Sequence, residues 1–338
     1  MRRLFILTNS VGSIPQKLHE TESFSTELIK EYFTDKSFEV QIISFDKFIS
    51  EFSALKNRIK GSFFIYASSQ YTEYYSSIED ILLLIKTSGG ILIPDFIHFR
   101  AHENKYFQEL IKTDLNIDAP KSILVSTIEE GMNKIKDIRY PVVAKLSFGY
   151  GSTSVSLLKN INEASEFLNK NLAGIVKKRK NIFKYRKKIE EYRDKYPLKV
   201  GKVIFQEFIE GLEFDWKIII FGNKLFYLKR YVRPNDFKAS GSGNFDNSQP
   251  PSSELIHFAF SVKFKLNTPW VSLDIVHKQD RFYLIEYQCI HFGMYTVIKS
   301  ISHFVLNGET LTESRSPVNA DMLFAEELYN YINGNNID

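Results

Sequence analysis

The stretch Pro141-Val142-Val143-Ala144-Lys145-Leu146-Ser147-Phe148-Gly149-Tyr150-Gly151-Ser152-Thr153-Ser154 decides the fold. Val142–Lys145 reads as a buried strand that delivers one lysine at its end. The turn behind it holds two glycines, whose missing Cβ lets backbone N–H groups approach an anion closely. Ser152, Thr153 and Ser154 add hydroxyl donors. A cation beside a concave set of donors is, physically, a phosphate cradle. It is not the P-loop pattern, which needs Gly-Lys-Ser/Thr opening a helix. Taken alone, the segment reads equally well as a Gly-Tyr-Gly hairpin turn.

Upstream, Leu4–Leu7, Val40–Phe45, Phe63–Ala67 and Ile91–Ile93 read as strands. Residues 20–33 and Ser77–Lys86 read as helices, the second stopped by Gly89-Gly90. This alternation predicts a small parallel α/β domain, residues 1–98. A second section, 99–200, is predicted to hold helix 101–112, strand 122–126, helix 127–137, the strand at Val142, a return strand 153–158 and one or two long helices over 162–195. A third, 201–338, has dense strand signals at 203–209, 216–221, 224–233, 271–276 and 282–287, then a final helix near 320–332. The fold class is α/β with α+β subdomains.

Hydrophobic residues make up 43% and charged residues 25% of the 338-residue chain, proportions that support a packed core and exclude wholesale disorder. The net charge of +4 suits an anionic ligand such as a nucleotide without demanding nucleic acid. With one cysteine, Cys289, no intrachain disulfide can form, so a reducing, cytoplasmic setting is expected. No apolar run reaches the roughly 20 residues of a membrane span, and the apolar start is too short for a secretory leader.

Three further motifs carry chemistry. In Val203-Ile204-Phe205-Gln206-Glu207-Phe208-Ile209-Glu210-Gly211, followed by Asp215-Trp216-Lys217, an apolar strand ends in a polar linker whose backbone can pair with a base edge, or the segment is simply an edge strand with a charged turn. Lys229, Arg230 and Arg233 precede the loop Pro234-Asn235-Asp236-Phe237-Lys238-Ala239-Ser240-Gly241-Ser242-Gly243. Strand alternation puts Lys229, Tyr231 and Arg233 on one face and Arg230 on the other. A solvated basic strand is the plain alternative. Last, Asp274 and the run Arg281–Gln288 form a hairpin in which Glu286 and Gln288 share a face that Asp274 can meet. Hard oxygens converging from paired strands suit Mg²⁺, and a glutamate within Tyr283-Leu284-Ile285-Glu286-Tyr287 is unfavourable to bury without a cation.

In this order and at these separations, the motifs from about Asn104 to Gly293 resemble those of the ATP-grasp superfamily, near the glutathione synthetase and RimK-type ligases. The resemblance implies an ATP-grasp fold, with ATP and Mg²⁺ held between two α+β subdomains behind an N-terminal α/β domain. It also implies the joining of a carboxylate to an amine through an acyl phosphate. Asn104-Lys105 resembles the first lysine motif and Pro120 the proline after it. Lys145 resembles the phosphate-binding lysine, with Gly149, Gly151 and Ser152 in the mobile loop. Gln206, Glu207, Phe208 and Ile209 resemble the adenine hinge, with Asp215 on the ribose side and Lys217 beside it. Arg230, Lys238 and Arg233 resemble the reaction-centre cations, and Asp274, Glu286 and Gln288 the magnesium set.

The departures are Lys238 for arginine, Gln288 for asparagine, and Ile290-His291-Phe292-Gly293 where the family has Pro-Gly. A point charge thus replaces a fork at 238, and an amide on a longer arm stands at 288. Lys238–Gly243 is similar to a subgroup found among surface-polysaccharide genes, which implies an amino acid or amine attached to a cell-surface sugar, peptide or small acid. The partners expected are a small-molecule or saccharide carboxylate, an amine acceptor and a second copy in a homodimer. One alternative is an ATP-binding protein that ligates nothing, motivated by Gln288 and Lys238. Another is phosphoryl transfer, for which His291 lies near the metal motif. The basic segment from Lys177 to Lys199 offers a nucleic-acid reading, but Glu190, Glu191 and Asp194 balance it as a solvated helix face. His98 and His102, at helical spacing, offer a metal-binding pair as the alternative, but are expected to flank a domain junction.

Overall fold

The computed structural model describes residues 1–16, 23–69, 71–148, 154–174, 187, 195, 197, 199–234, 236–239 and 241–334. The chain begins with β1 (Arg3–Thr8), the short pair β2 (Ile14–Pro15) and β3 (Ser23–Phe24), α1 (Thr26–Thr34) and β4 (Glu39–Ser44). Helices α2 (Phe45–Ser50) and α3 (Phe52–Ile59), strand β5 (Phe63–Tyr66), α4 (Thr72–Thr87) and β6 (Ile91–Leu92) complete this part. Strands β4-β1-β5-β6 form a parallel sheet in that order. The apolar run in β1 and all of β5 are buried, as a sheet covered on both faces requires.

Local capping shifts two predicted boundaries. The helix expected from residue 20 starts at Thr26 because the Ser25 hydroxyl accepts from the Leu28 N–H at 3.2 Å. The strand expected to reach Phe45 stops at Ser44, whose side chain caps α2. The helix expected over 101–112 is instead two: α5 (Phe96–Ala101) and α6 (Lys105–Asp114). Between them Glu103 adopts φ +53°, and Asn104 caps α6.

The middle of the chain runs β7 (Ser122–Thr127), α7 (Ile128–Lys134), β8 (Val142–Leu146), β9 (Val155–Leu158), α8 (Ile161–Asn171), β10 (Ala173–Gly174) and β11 (Lys199–Glu207). Its sheet has the order β10-β11-β8-β9, with β7 also on β11. Helix α8 ends at Asn171, short of the long helices expected to 195, and most of 175–198 lies outside the described residues. The chain leaves this sheet only after Glu207, past the division expected at residues 200 and 201.

The remainder holds β12 (Phe214–Phe221), β13 (Lys224–Tyr231), β14 (Phe245–Asp246), α9 (Ser253–Leu266), β15 (Trp270–Lys278), β16 (Arg281–Gln288), α10 (Tyr295–Lys299), β17 (His303–Asn307), β18 (Thr310–Ser314) and α11 (Ala320–Gly334). An antiparallel sheet runs β16-β15-β12-β13-β17-β18, with β14 on β13. It shares its core with the N-terminal sheet: Phe5, Leu7 and Phe99 lie in one apolar cluster with Ile218, Phe260 and Leu273. The middle sheet has a separate core built on Val125, Ala144, Leu168 and Phe205. Two bodies therefore face each other, and their facing sheets frame a cleft. Among the described residues no helix is long and apolar enough to cross a membrane.

Candidate active site

The cleft encloses a cavity of about 490 Å³, within the range of small-molecule sites. One wall comes from β8 and β11 of the middle sheet, the other from β12, β13, β15 and β16. Register fixes the second wall. Glu286 of β16 pairs with Asp274 of β15, which pairs with Lys217 of β12, while Asp215 pairs with Arg230 of β13. Cross-strand partners share a face, so these five side chains form one charged row.

Arg230 is the hub of that row. Its Nε and Nη2 donate to the two Asp215 carboxylate oxygens at 2.7 Å each, and Nη2 lies 2.8 Å from Asp274 Oδ2. Lys217 Nζ donates to Asp274 Oδ1 at 2.8 Å. Burial pushes the Asp274 carboxyl up, but Arg230 and then Lys217 outweigh it and hold the group well below the usual carboxylate range. The Asp215 carboxylate is thus held by the Arg230 fork.

Glu286 lies 3.7 Å from Lys105 Nζ. The Gln288 amide places its nitrogen 3.1 Å from Glu286 Oε1 and its oxygen 2.7 Å from His102 Nδ1. Burial lowers the His102 pKa to about 4, so the ring is neutral at pH 7, and among the described residues its Nε2 has no partner. With Nδ1 donating, the Gln288 oxygen is committed to His102; a half-turn of the amide would return that oxygen to the Glu286 side.

Lys105 sits at the start of α6, and that start is pinned to the end of β8. The Asn104 side-chain oxygen accepts from the Phe107 N–H at 3.2 Å and from the Ser147 hydroxyl at 2.7 Å, and the Lys105 N–H donates to the Ser147 carbonyl at 2.9 Å. Asn104→Ala removes both side-chain bonds and is expected to lower unfolding free energy by about 1 kcal/mol. Urea denaturation checks this; an unchanged midpoint would show that the cap does not hold α6.

Most of the residues expected from the sequence meet here. Lys105, Lys145, Gln206, Glu207, Phe208, Ile209, Asp215, Lys217, Arg230, Lys238, Asp274, Glu286 and Gln288 all line the cavity. Arg233 does not. Strand β13 ends at Tyr231, and the Arg233 guanidinium turns back to the Gly241 carbonyl. Gly149, Gly151 and Ser152 lie outside the described residues. Sequence reasoning misses His102 as a partner of Gln288, and Gln16, Glu109 and Lys112 altogether. The signal for the last two is a polar stripe, Lys105, Glu109 and Lys112, at the spacing a helix uses for its buried face.

Among the described residues no group of three or more His, Cys, Asp or Glu side chains could hold a metal ion unaided. Asp274 and Glu286, with the Gln288 oxygen if it turns, are hard donors that fit Mg²⁺ when phosphate oxygens and water complete its shell. The residues fit the ion on that condition.

This is the ATP-grasp fold. No protein-family model and no curated protein matches the sequence. Solved structures do. The chain is similar to D-cycloserine synthetase DcsG at 11% identity and TM-score 0.58, over 96% of this chain and 98% of that one. It is similar to D-alanine–D-alanine ligase from Bacillus anthracis at 12% identity and TM-score 0.51, over 98% and 97%. A third is N5-carboxyaminoimidazole ribonucleotide synthetase from Thermotoga maritima, at 14% identity and TM-score 0.52, over 88% and 71%. At such identities the likeness is one of fold.

Proposed function

We propose that this protein is an ATP- and Mg²⁺-dependent ligase that joins a carboxylate to an amine through an acyl phosphate. The observation that carries the reading is the meeting in one cavity of Lys145, from the middle sheet, with Asp274 and Glu286, from the opposite one. A lysine and paired carboxylates facing each other across a cleft match the needs of a metal-bound triphosphate. That the fold is shared with a D-alanine–D-alanine ligase supports the same reading.

ATP, when bound with Mg²⁺, supplies the phosphoryl group that activates the carboxylate. Lys105 and Lys145 bind phosphate oxygens. Glu207, Phe208 and Ile209, at the strand-to-linker passage, border the base. Asp274 and Glu286 would hold the metal, with the Gln288 oxygen added were its amide to turn. Arg230 and Lys238 orient the substrate carboxylate and offset the charge that develops on transfer. The acceptor enters beside Gln16, His291 and Tyr295, which line the same cavity. An amino acid or amine added to a cell-surface sugar, peptide or small acid is the substrate reading. The buried, free Cys289 suits a reducing compartment such as the cytoplasm.

The test is a screen of amino acids, uronic acids and short peptides for ATP-dependent condensation, read by mass spectrometry with ADP release in parallel. A new amide product with stoichiometric ADP is expected. Nucleotide binding without ADP or product across the screen would favour a second reading, nucleotide binding without ligation. That reading draws on Asp274, both of whose oxygens are already engaged by Arg230 and Lys217, and on the Gln288 oxygen facing His102.

A further inference from the structure

In the proposed ligase Lys145 is the ammonium that meets the nucleotide phosphates, and the role inferred for its neighbours rests on that function. Among the described residues Lys145 makes no carboxylate pair of its own. Its Nζ donates to Gln206 Oε1 at 2.6 Å. The Gln206 nitrogen donates to Glu109 Oε1 at 3.2 Å and to Ser122 Oγ at 3.1 Å, so the amide has one acceptable orientation. Reversed, its oxygen would face the Glu109 carboxylate and its NH₂ would face the Lys145 ammonium.

Glu109 in turn accepts from Lys112 Nζ at 2.6 Å. Lys112 also donates to the carbonyls of Ile285 at 3.1 Å and Leu284 at 3.4 Å, on β16, the strand that carries Glu286 and Gln288. The register slips there: Asp274 pairs with Glu286 but Ile275 with Leu284, leaving Ile285 without a cross-strand partner. A bulge of this kind re-aims backbone and side chains.

Glu109, Lys112, Gln206 and Lys145 are all buried. Apolar residues of the same volume would avoid the desolvation that a buried Lys–Glu pair incurs, so stability alone does not explain the pair. Its location does. The middle sheet has its own core, and α6 packs against β8 and β11 of that sheet and against β16 of the other. We infer that Glu109 and Lys112 are positioning residues, a relay through Gln206 that aims the Lys145 ammonium into the cleft and ties it to the strand bearing Glu286.

The charges around Lys145 give a readout that general damage to the fold does not mimic. Burial lowers its pKa to about 8; Glu109 and Glu286 work upward, while Lys112 and Lys105 work downward. Among the described residues these four are the charged groups that act on it, from α6 and β16. Removing the Glu109 charge lets the value fall further, so Lys145 keeps its proton at pH 6 but loses it at pH 8. A fall of about one unit, the low end for loss of a nearby opposite charge, lowers the protonated fraction at pH 8 about fivefold.

The experiment is binding of a non-hydrolysable ATP analogue to wild type and Glu109→Gln by calorimetry from pH 6 to pH 9. Comparison at equal pH cancels the nucleotide's own titration. Expected are near-equal affinities at pH 6, an about fivefold weaker variant at pH 8, and a midpoint displaced to lower pH. Superimposed curves, or a loss equal at every pH, would overturn the inference while leaving the ligase reading intact. A wild type that does not bind the analogue sinks both. Should Glu109→Gln not fold, Lys112→Gln removes a charge that works downward on Lys145 and is expected to displace the midpoint to higher pH; curves superimposed on wild type would overturn the inference equally.

Discussion

Glu286→Gln is expected to lower ATP turnover about a thousandfold, or ~4 kcal/mol of barrier, while leaving the protein folded and able to take up nucleotide. Glu286 is partly open to solvent, its side chain 26% exposed, so an amide of the same shape is accommodated there, at the loss of a loose 3.7 Å pair with Lys105. The expected loss is in chemistry because the two carboxylates of the site are not equivalent. Asp274 already engages both oxygens with Arg230 and Lys217. Glu286 faces Lys105 at the looser distance of 3.7 Å and the Gln288 amide at 3.1 Å. Among the described carboxylates lining the metal side of the cleft, it has the most negative charge left to give to Mg²⁺. An amide oxygen at that place is neutral and a weaker ligand. ADP release under saturating ATP and Mg²⁺, beside calorimetric nucleotide binding, separates the two effects. Turnover within tenfold of wild type would remove Glu286 from the metal site and with it the main support for the assignment.

The sequence reaches the chemistry more surely than the contacts. Lys145, Asp274 and Glu286 are legible because each is a charged residue inside an apolar strand, and only a ligand or a partner makes such a placement tolerable. Which of the two applies is not legible. The sequence points Asp215 and Lys217 toward a nucleotide, and the structure engages them with Arg230 and Asp274, because register across β12, β13 and β15 sets who stands opposite whom. Gln206 reads as part of the base hinge, and its side chain instead holds Lys145. The hinge reading concerns backbone, whereas the side chain of a strand residue points to the sheet face. Helix α9 is hard to see in the sequence although Leu255, Ile256, Ala259, Phe260, Val262 and Leu266 are all buried on it, since closely spaced phenylalanines blur the helical period. The strands β17 and β18 carry polar outer faces and give little signal.

Arg230→Met is expected to damage the fold as well as the site, lowering unfolding free energy at pH 7 by about 3–5 kcal/mol. One guanidinium serves two buried carboxylates, at 2.7 Å twice to Asp215 and at 2.8 Å to Asp274. Without it Asp274 keeps Lys217, but Asp215 is left in the cleft wall with its nearest cation gone. Lysine at 230 is a poor substitute because a point charge cannot form the fork on Asp215 and reach Asp274 at once, so Arg230→Lys should recover only part of the loss. The pH dependence identifies the cause. In the wild type Asp274 titrates well below its unfolded value near 3.9, so its contribution is complete at neutral pH and fades only as pH falls through that depressed value. Burial already raises the Asp215 carboxyl in the wild type against the pull of Arg230, and without the arginine it rises further, so as pH drops from 7 toward 4 Asp215 takes up its proton earlier in the variant, and that uptake relieves the variant more than the wild type. The stability gap should therefore narrow on acidification. Urea denaturation at pH 7 and pH 4.5 measures it. A gap of constant size would mean that Arg230 acts by packing its side chain, and a widening gap would mean that its partners are not carboxylates needing a cation; either would also weaken its assignment to the substrate carboxylate, since the same charge is asked to do both.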